Sequence, residues 1–201
     1  LVSVDTVIIT IPFKRGLENP WHYTDQIKHI ANACVAKDVS HIIMTSSTSV
    51  YPSTNDIVNE HSETDTTERA KALSAAEQHL LTHSAFDATI LRFGGLFGPN
   101  RMPSRFFRHK DTIQGAQTPI NLIHLDDCIR IIQSLLRISA RNTIYNAVSP
   151  EHPTKQAFYQ SEAKQNTPCH RLLLCLSAPA KLRTAKASEK ISPTLDHNLI
   201  L

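Results

Sequence analysis

Apolar and polar positions fall in blocks along this chain, and each block has a readable period. "DTVIITIP", Asp5 to Pro12, is an almost unbroken β-branched run. Such a run suits a strand buried on both faces of a parallel sheet. Asn19-Pro20 offers a helix cap and a first-turn proline, and Ile27, Ile30, Ala31, Cys34 and Val35 follow at helical spacing. "HIIMT", His41 to Thr45, predicts a second strand. A polar loop over 53–65 leads to Asp65 and Glu68, spaced as a capping box, and then to Ala70, Leu73, Ala76 and Leu80 on one helix face. "ATILRF", Ala88 to Phe93, predicts a third strand. Strand–helix–strand–helix–strand within one sheet requires right-handed crossovers and parallel strands.

Past Phe93 the pattern changes. "GGLFGPNRMPSRFFRHK" is rich in Gly, Pro and Arg and reads as a loop leaving the sheet. "INLIH" is a short strand, and Asp126 or Asp127 caps a helix with Cys128, Ile131, Ile132 and Leu135 on its apolar face. "TIYNAV", Thr143 to Val148, is a further strand, and Thr154 caps a helix running through Phe158 to about Asn166. No periodicity places the segment after Cys169.

Composition narrows the classes. With 201 residues, 41% of them hydrophobic, the chain supports one good-sized domain or a domain with a small appendage. A net charge of +3 with scattered Lys and Arg gives no basic stripe, which excludes a nucleic-acid partner. The longest apolar run, Leu172 to Leu176, is far short of the roughly 20 residues a membrane span needs, so no membrane partner is expected. Cys34, Cys128, Cys169 and Cys175 show no CxxC pairing and read as reduced thiols of a cytoplasmic protein.

One stretch carries chemistry. "MTSSTSVYP", Met44 to Pro52, runs a predicted strand directly into Thr45, Ser46 and Ser47. A row of hydroxyls at a strand's carboxyl end is suited to hydrogen-bonding a ligand, because open α/β sheets bind ligands outside those ends.

Together, "SSTSVYP", "ILRFGGLFGPNR", "INLIHLDDCIRII" and "IYNAVSPEHPT" resemble, in order and spacing, the extended short-chain dehydrogenase/reductase superfamily, in its NAD-dependent epimerase/dehydratase group. The resemblance runs from about Val4 to at least Phe158. It implies an α/β fold, a partial doubly wound (Rossmann-like) parallel sheet, with a small C-terminal substrate domain. The corresponding division is 1–100 for the sheet and 101–201 for substrate-domain elements interleaved with its last parts. It implies NAD or NADP as cofactor and a small-molecule substrate, with a nucleotide sugar as one class.

Residue by residue, the resemblance makes Ser47, four before Tyr51, the catalytic hydroxyl. It places Thr10, Ile11, Pro12, Ser46, Ser47, Arg92, Phe93 and Gly94 along the cofactor, and Arg101 and Asn121 toward the substrate. Arg105 and Arg108 extend the same basic loop. The family's acid–base pair, Tyr-x-x-x-Lys, precedes a Glu by fixed spacing. Anchored on Glu77, the Tyr position holds Arg69 and the Lys position holds Leu73. Lys71 is two residues off and belongs to another face of the helix. Arg stays charged and cannot shuttle a proton near neutral pH. The chain is therefore similar to an atypical branch with an Arg-rich helix start, and its expected catalysis is impaired, with a non-catalytic dinucleotide-binding or sensing module as the alternative.

The pyrophosphate cradle is also missing. Of the five glycines, Gly94, Gly95 and Gly98 follow a strand, but Pro99 and a polar loop stand where a helix should begin, so the cluster reads as a turn. Thr6 to Ile11 aligns with the family's fourth strand, which reads the chain as an amino-terminally truncated copy. His124 and Asp127 form a tempting pair for which a cap and a loop brace suffice. His79 and His83, four apart without a third ligand, read as a solvated helix face, and no metal site is expected.

Overall fold

The computed structural model describes residues 4–14, 16–54, 56–102, 113–138, 141–164, 182–183 and 190–191. Four parallel strands build its main sheet, in the order β1 (Thr6–Ile9), β2 (His41–Ser47), β4 (Asp87–Phe93) and β8 (Thr143–Ala147). The crossovers are the helices α1 (Trp21–Val35), α2 (Glu68–Leu81) and α3 (Leu125–Leu135). This is the parallel α/β sheet that the alternation predicts.

Strand alternation divides the sheet into two apolar layers. Ile42, Met44, Ala88 and Ile90 face Ile27, Ala31, Leu73, Ala76 and Leu80 of α1 and α2. Ile43, Leu91, Phe93 and Ala147 face Cys128, Ile131 and Leu135 of α3. Every one of these side chains is buried. On β1 the second face is open: Ile8 is 40% exposed while its neighbour Ile9 is 3% exposed. α1 and α2 are also tied together directly, because the Thr24 hydroxyl donates to the Ala72 carbonyl at 2.7 Å.

Several local expectations are corrected. β2 does not stop at Thr45 but continues through Ser46 and Ser47, because both stay in register with Arg92 and Phe93 of β4. "GLF" is no loop. It forms β5 (Gly95–Phe97), parallel to β7 (Leu122–His124). Within the polar loop over 53–65, β3 (Ile57–Val58) pairs antiparallel with β9 (Leu182–Arg183), and β6 (Ile113–Gln114) pairs with β10 (Lys190–Ile191). α2 is capped by Thr67, whose hydroxyl accepts from the Ala70 N–H at 3.4 Å. Asp65 lies two residues too early and instead accepts from the Thr67 N–H at 2.7 Å. α3 is capped by His124, whose Nδ1 accepts from the Asp126 N–H at 3.2 Å, while Asp127 is inside the helix and pairs with Arg130 at 3.0 Å. Thr154 does cap α4 (Lys155–Lys164), accepting from the Ala157 N–H at 3.1 Å.

His79 and His83 are half-buried rather than solvated. Their rings meet edge to face at 5.8 Å, and His83 stacks on Phe86 at 4.3 Å. No group of three or more His, Cys, Asp or Glu suited to a metal occurs among the described residues. None of the described helices is long and apolar enough to cross a membrane. Cys34 and Cys128 are buried free thiols, and Cys169 and Cys175 lie outside the described residues.

At the amino end of β2, His41 is buried with Nε2 3.0 Å from the Thr89 hydroxyl. Burial first, then the charge of Arg141, holds its pKa below the usual value against the opposing pull of Asp87. A lowered folded pKa means the neutral ring is favoured in the native state. The stabilisation is then complete above the unfolded value of roughly 6.5 and is lost as pH falls through the folded value. His79, lowered chiefly by burial, acts in the same direction. Urea midpoints should therefore fall between about pH 7 and pH 5. His41→Gln should show a shallower fall than the native chain, with the residual slope from His79.

Candidate nicotinamide-end site

The carboxyl ends of β1, β2 and β4 lie side by side, and alternation sends successive hydroxyls of β2 to opposite faces. Ser46 faces α2, where its hydroxyl donates to Glu77 Oε1 at 2.5 Å. Ser47 faces the other way and is half-buried. Its oxygen accepts from the Ser49 N–H at 3.1 Å, capping the single 3-10 turn Thr48–Val50. That bond occupies a lone pair and leaves the O–H able to donate to a ligand. Thr45 donates from its hydroxyl to the Ile9 carbonyl at 3.3 Å, bracing β1 against β2.

Behind Ser46 lies a buried polar network that composition and spacing did not reveal. Arg92 Nη2 donates to Glu77 Oε2 at 2.6 Å, and Arg92 Nε lies 3.1 and 3.2 Å from the two carboxylate oxygens. The two side chains are 4% and 2% exposed, so neither charge is hydrated. Arg92 Nη1 donates to the Tyr51 hydroxyl at 2.7 Å, which in turn donates to Asn146 Oδ1 at 2.9 Å. The Asn146 backbone N–H donates to Glu60 Oε1 at 2.7 Å. The chain of bonds thus ties the ends of β2, β4 and β8 to α2 and to the loop before it. Burial disfavours the Arg92 charge, but the Glu77 carboxylate more than offsets this and holds the guanidinium above its ordinary pKa.

This network decides what the tyrosines can do. Tyr51 is 6% exposed, and both its donor and an acceptor site are occupied. Burial raises its pKa despite the lowering influence of Arg92. Tyr23 is 2% exposed and donates to the Ile11 carbonyl at 3.3 Å. Burial, with the Glu77 charge adding, pushes its phenol up to about 12. Neither phenol is poised for proton transfer near neutral pH.

The other expected site residues divide clearly. Thr10, Ile11 and Pro12 form an exposed loop at the end of β1. Arg92 is drawn under the sheet into the Glu77 pair, and Phe93 is buried against α3. Gly94 lies where the backbones converge: a Cβ there would be 2.7 Å from the Asn121 carbonyl oxygen and 2.9 Å from Val148 Cγ1. Its role is close packing of strand ends, and the Asn121 carbonyl accepts from the Gly95 N–H at 2.7 Å. Arg101 donates from Nε to the Leu96 carbonyl at 2.8 Å. Arg105 and Arg108 lie outside the described residues.

At α2, Leu73 is 1% exposed within the core, so the position of the family's Lys is apolar. Lys71 is exposed and pairs with Glu68 at 3.0 Å, on another face as its spacing requires. Arg69 donates to two carbonyls of the loop after β1, Lys14 at 2.9 Å and Phe13 at 3.0 Å.

A parallel sheet with hydroxyls and an open loop at its carboxyl edge is the frame of a dinucleotide-binding protein. The NAD(P)H-binding family matches residues 1–121, and the chain belongs to that family. Its cofactor class is NAD or NADP. The chain is similar to Protein YeeZ of Escherichia coli (strain K12), with 33% identity over 165 residues, 82% of this chain and 60% of that protein. It therefore spans 60% of the length of that curated relative.

Among solved structures it is similar to UDP-glucuronic acid 4-epimerase from Bacillus cereus in complex with NAD. The TM-score is 0.67 at 19% identity, over 80% of this chain and 59% of that one. It is also similar to UDP-N-acetylglucosamine 4-epimerase from Methanobrevibacter ruminantium M1 in complex with UDP-N-acetylmuramic acid. There the TM-score is 0.66 at 16% identity, over 81% and 61%. At such identities the likeness shows a shared fold.

The residues fit one end of the cofactor. The available Ser47 hydroxyl and the open Thr10–Pro12 loop suit a nicotinamide and its ribose. The pyrophosphate finds no cradle among the described residues, since Gly95 enters a strand rather than a helix N-terminus.

Proposed function

We propose that this chain carries the nicotinamide end of a NAD(P)-dependent oxidoreductase or epimerase of the extended short-chain dehydrogenase type, with catalysis impaired by loss of the Tyr-Lys pair. The observation that carries this reading is the combination at the strand ends. Ser47 keeps a hydroxyl available beside an open loop, while Arg69 and Leu73 stand at the acid–base positions as a loop clamp and a core residue. Bound NAD(P) supplies or accepts hydride. Ser47 donates a hydrogen bond to a carbonyl or hydroxyl held next to it. The proton of such a step has no source in Tyr51 or Tyr23, whose hydroxyls are engaged.

The structural neighbours named for UDP-sugar epimerisation support a nucleotide sugar as the substrate class. Arg101 and Asn121, on the segments after β4 and before β7, are the residues proposed to meet it.

A second reading, a dinucleotide-binding or sensing module without chemistry, is favoured by the burial of Leu73, which leaves no room for a lysine ammonium on that face. Calorimetric titration with NADH and an assay of UDP-glucuronic acid for both NAD⁺ reduction and the 4-epimerised product separate the two. Ser47→Ala is expected to weaken NADH by up to about tenfold, the worth of one good hydrogen bond, with a small fall in the thermal midpoint from the lost 3-10 cap. Equal binding by the variant removes Ser47 from the site. Slow turnover that Ser47→Ala abolishes supports the impaired enzyme, and binding without turnover supports the module.

A further inference from the structure

The loop that follows β1 is held from three directions. Arg69, at the second residue of α2, donates from Nη1 to the Lys14 carbonyl and from Nη2 to the Phe13 carbonyl. Its guanidinium carbon lies 4.0 Å over the Phe13 ring, and Phe13 stacks on Tyr23 with ring centroids 4.7 Å apart. Tyr23 closes the set by donating to the Ile11 carbonyl. The same helix ends are joined by Trp21 Nε1, which donates to Glu68 Oε2 at 3.0 Å.

We propose that Arg69 is a positioning residue of the site: its forked guanidinium fixes the Thr10–Lys14 loop in the shape that receives the nicotinamide end of the dinucleotide. This rests on the nicotinamide-end reading above. Three carbonyls of one short loop, those of Ile11, Phe13 and Lys14, are drawn toward α1 and α2, and the loop's own side chain Phe13 completes the stack. A planar fork satisfies two acceptors with one rigid group, which an ammonium cannot reproduce. Fixing a loop before binding lowers the ordering cost of the ligand. The helix position of an acid–base Tyr has thus been converted from proton transfer to loop geometry.

Arg69→Lys and Arg69→Met test this in the intact chain. Titration uses NADH, and the thermal midpoint of each variant is read without ligand. Amide hydrogen exchange over 10–14 and the fluorescence of Trp21, the single tryptophan, are read without ligand. Expected in both variants is faster exchange over 10–14 and a changed Trp21 signal. NADH affinity should fall roughly tenfold while exchange in the strands of the main sheet is unchanged, and lysine should not rescue the affinity.

Unchanged exchange over 10–14 in both variants overturns the inference, as does faster exchange spread through the strands of the main sheet, which marks a global structural role. Full rescue by lysine overturns the role of the fork. If the native chain binds NADH and the variants bind it equally, the nicotinamide-end reading stands and this inference fails. If the native chain binds no NADH, that reading fails and the cofactor role of Arg69 falls with it, whatever the exchange shows.

Discussion

Replacing Glu77 with alanine is expected to destabilise the chain by about 3–5 kcal/mol, the cost of leaving a buried charge without its partner. For a domain of this size that is a fall in thermal midpoint on the order of 10 °C. The reason lies in geometry. Arg92 is 4% exposed and directs Nε and Nη2 at the Glu77 carboxylate. Without that carboxylate the guanidinium keeps one strong side-chain acceptor, Tyr51, and the Ser46 hydroxyl loses its 2.5 Å partner. The pair itself need not add net stability, because desolvating two ions offsets much of their attraction. The double replacement Glu77→Leu with Arg92→Met should therefore recover a large part of the loss. Urea denaturation of the native chain, both single variants and the double variant gives the coupling directly. A double variant as unstable as the sum of the singles would show that the network acts through something other than this pair.

Gly94→Ala is expected to cost about 2–3 kcal/mol and to disturb the site as well as the fold. The ideal Cβ meets a backbone carbonyl, Asn121 O at 2.7 Å, and a buried side chain, Val148 Cγ1 at 2.9 Å. Neither can rotate away as the end of a flexible side chain would. Relief requires the β4–β5 corner to move from the segment before β7, which strains the 2.7 Å bond from the Gly95 N–H to Asn121 O. Circular dichroism melts and NADH titration should both report the change. Gly16→Ala is the matched control: at a φ of +76° with nothing within 4 Å, it carries backbone strain but no collision. Its expected cost is about 1 kcal/mol. Equal effects at the two positions would contradict the close approach at Gly94.

The sheet was legible because its signals are local. A continuous β-branched run marks β1, short apolar runs mark β2 and β4, and Ala70, Leu73, Ala76 and Leu80 mark the buried face of α2. The family was legible from ordered motifs rather than from any single one. The polar network was hidden because its members, Ser46, Tyr51, Glu77, Arg92 and Asn146, are scattered over a hundred residues and meet only when parallel strands align. One signal pointed to it: Arg92 lies within an otherwise apolar strand and Glu77 on the apolar face of a helix, and two opposite charges at buried positions should seek each other. The caps of α2 and α3 were misplaced by two or three residues because Asp65, Thr67, His124 and Asp126 all offer acceptors near a helix start. β5 was missed because Gly95-Leu96-Phe97 has too little period to outweigh its glycines.

The most direct test of a dinucleotide site at these strand ends is a thermal-shift titration of the chain with NADH and NADPH. The prediction is saturable stabilisation by at least one of them, amounting to about 2.7 kcal/mol at a ligand concentration 100 times Kd. The stabilisation should be reduced in Ser47→Ala. A melting curve that neither dinucleotide moves, or stabilisation that Ser47→Ala leaves untouched, would contradict the site.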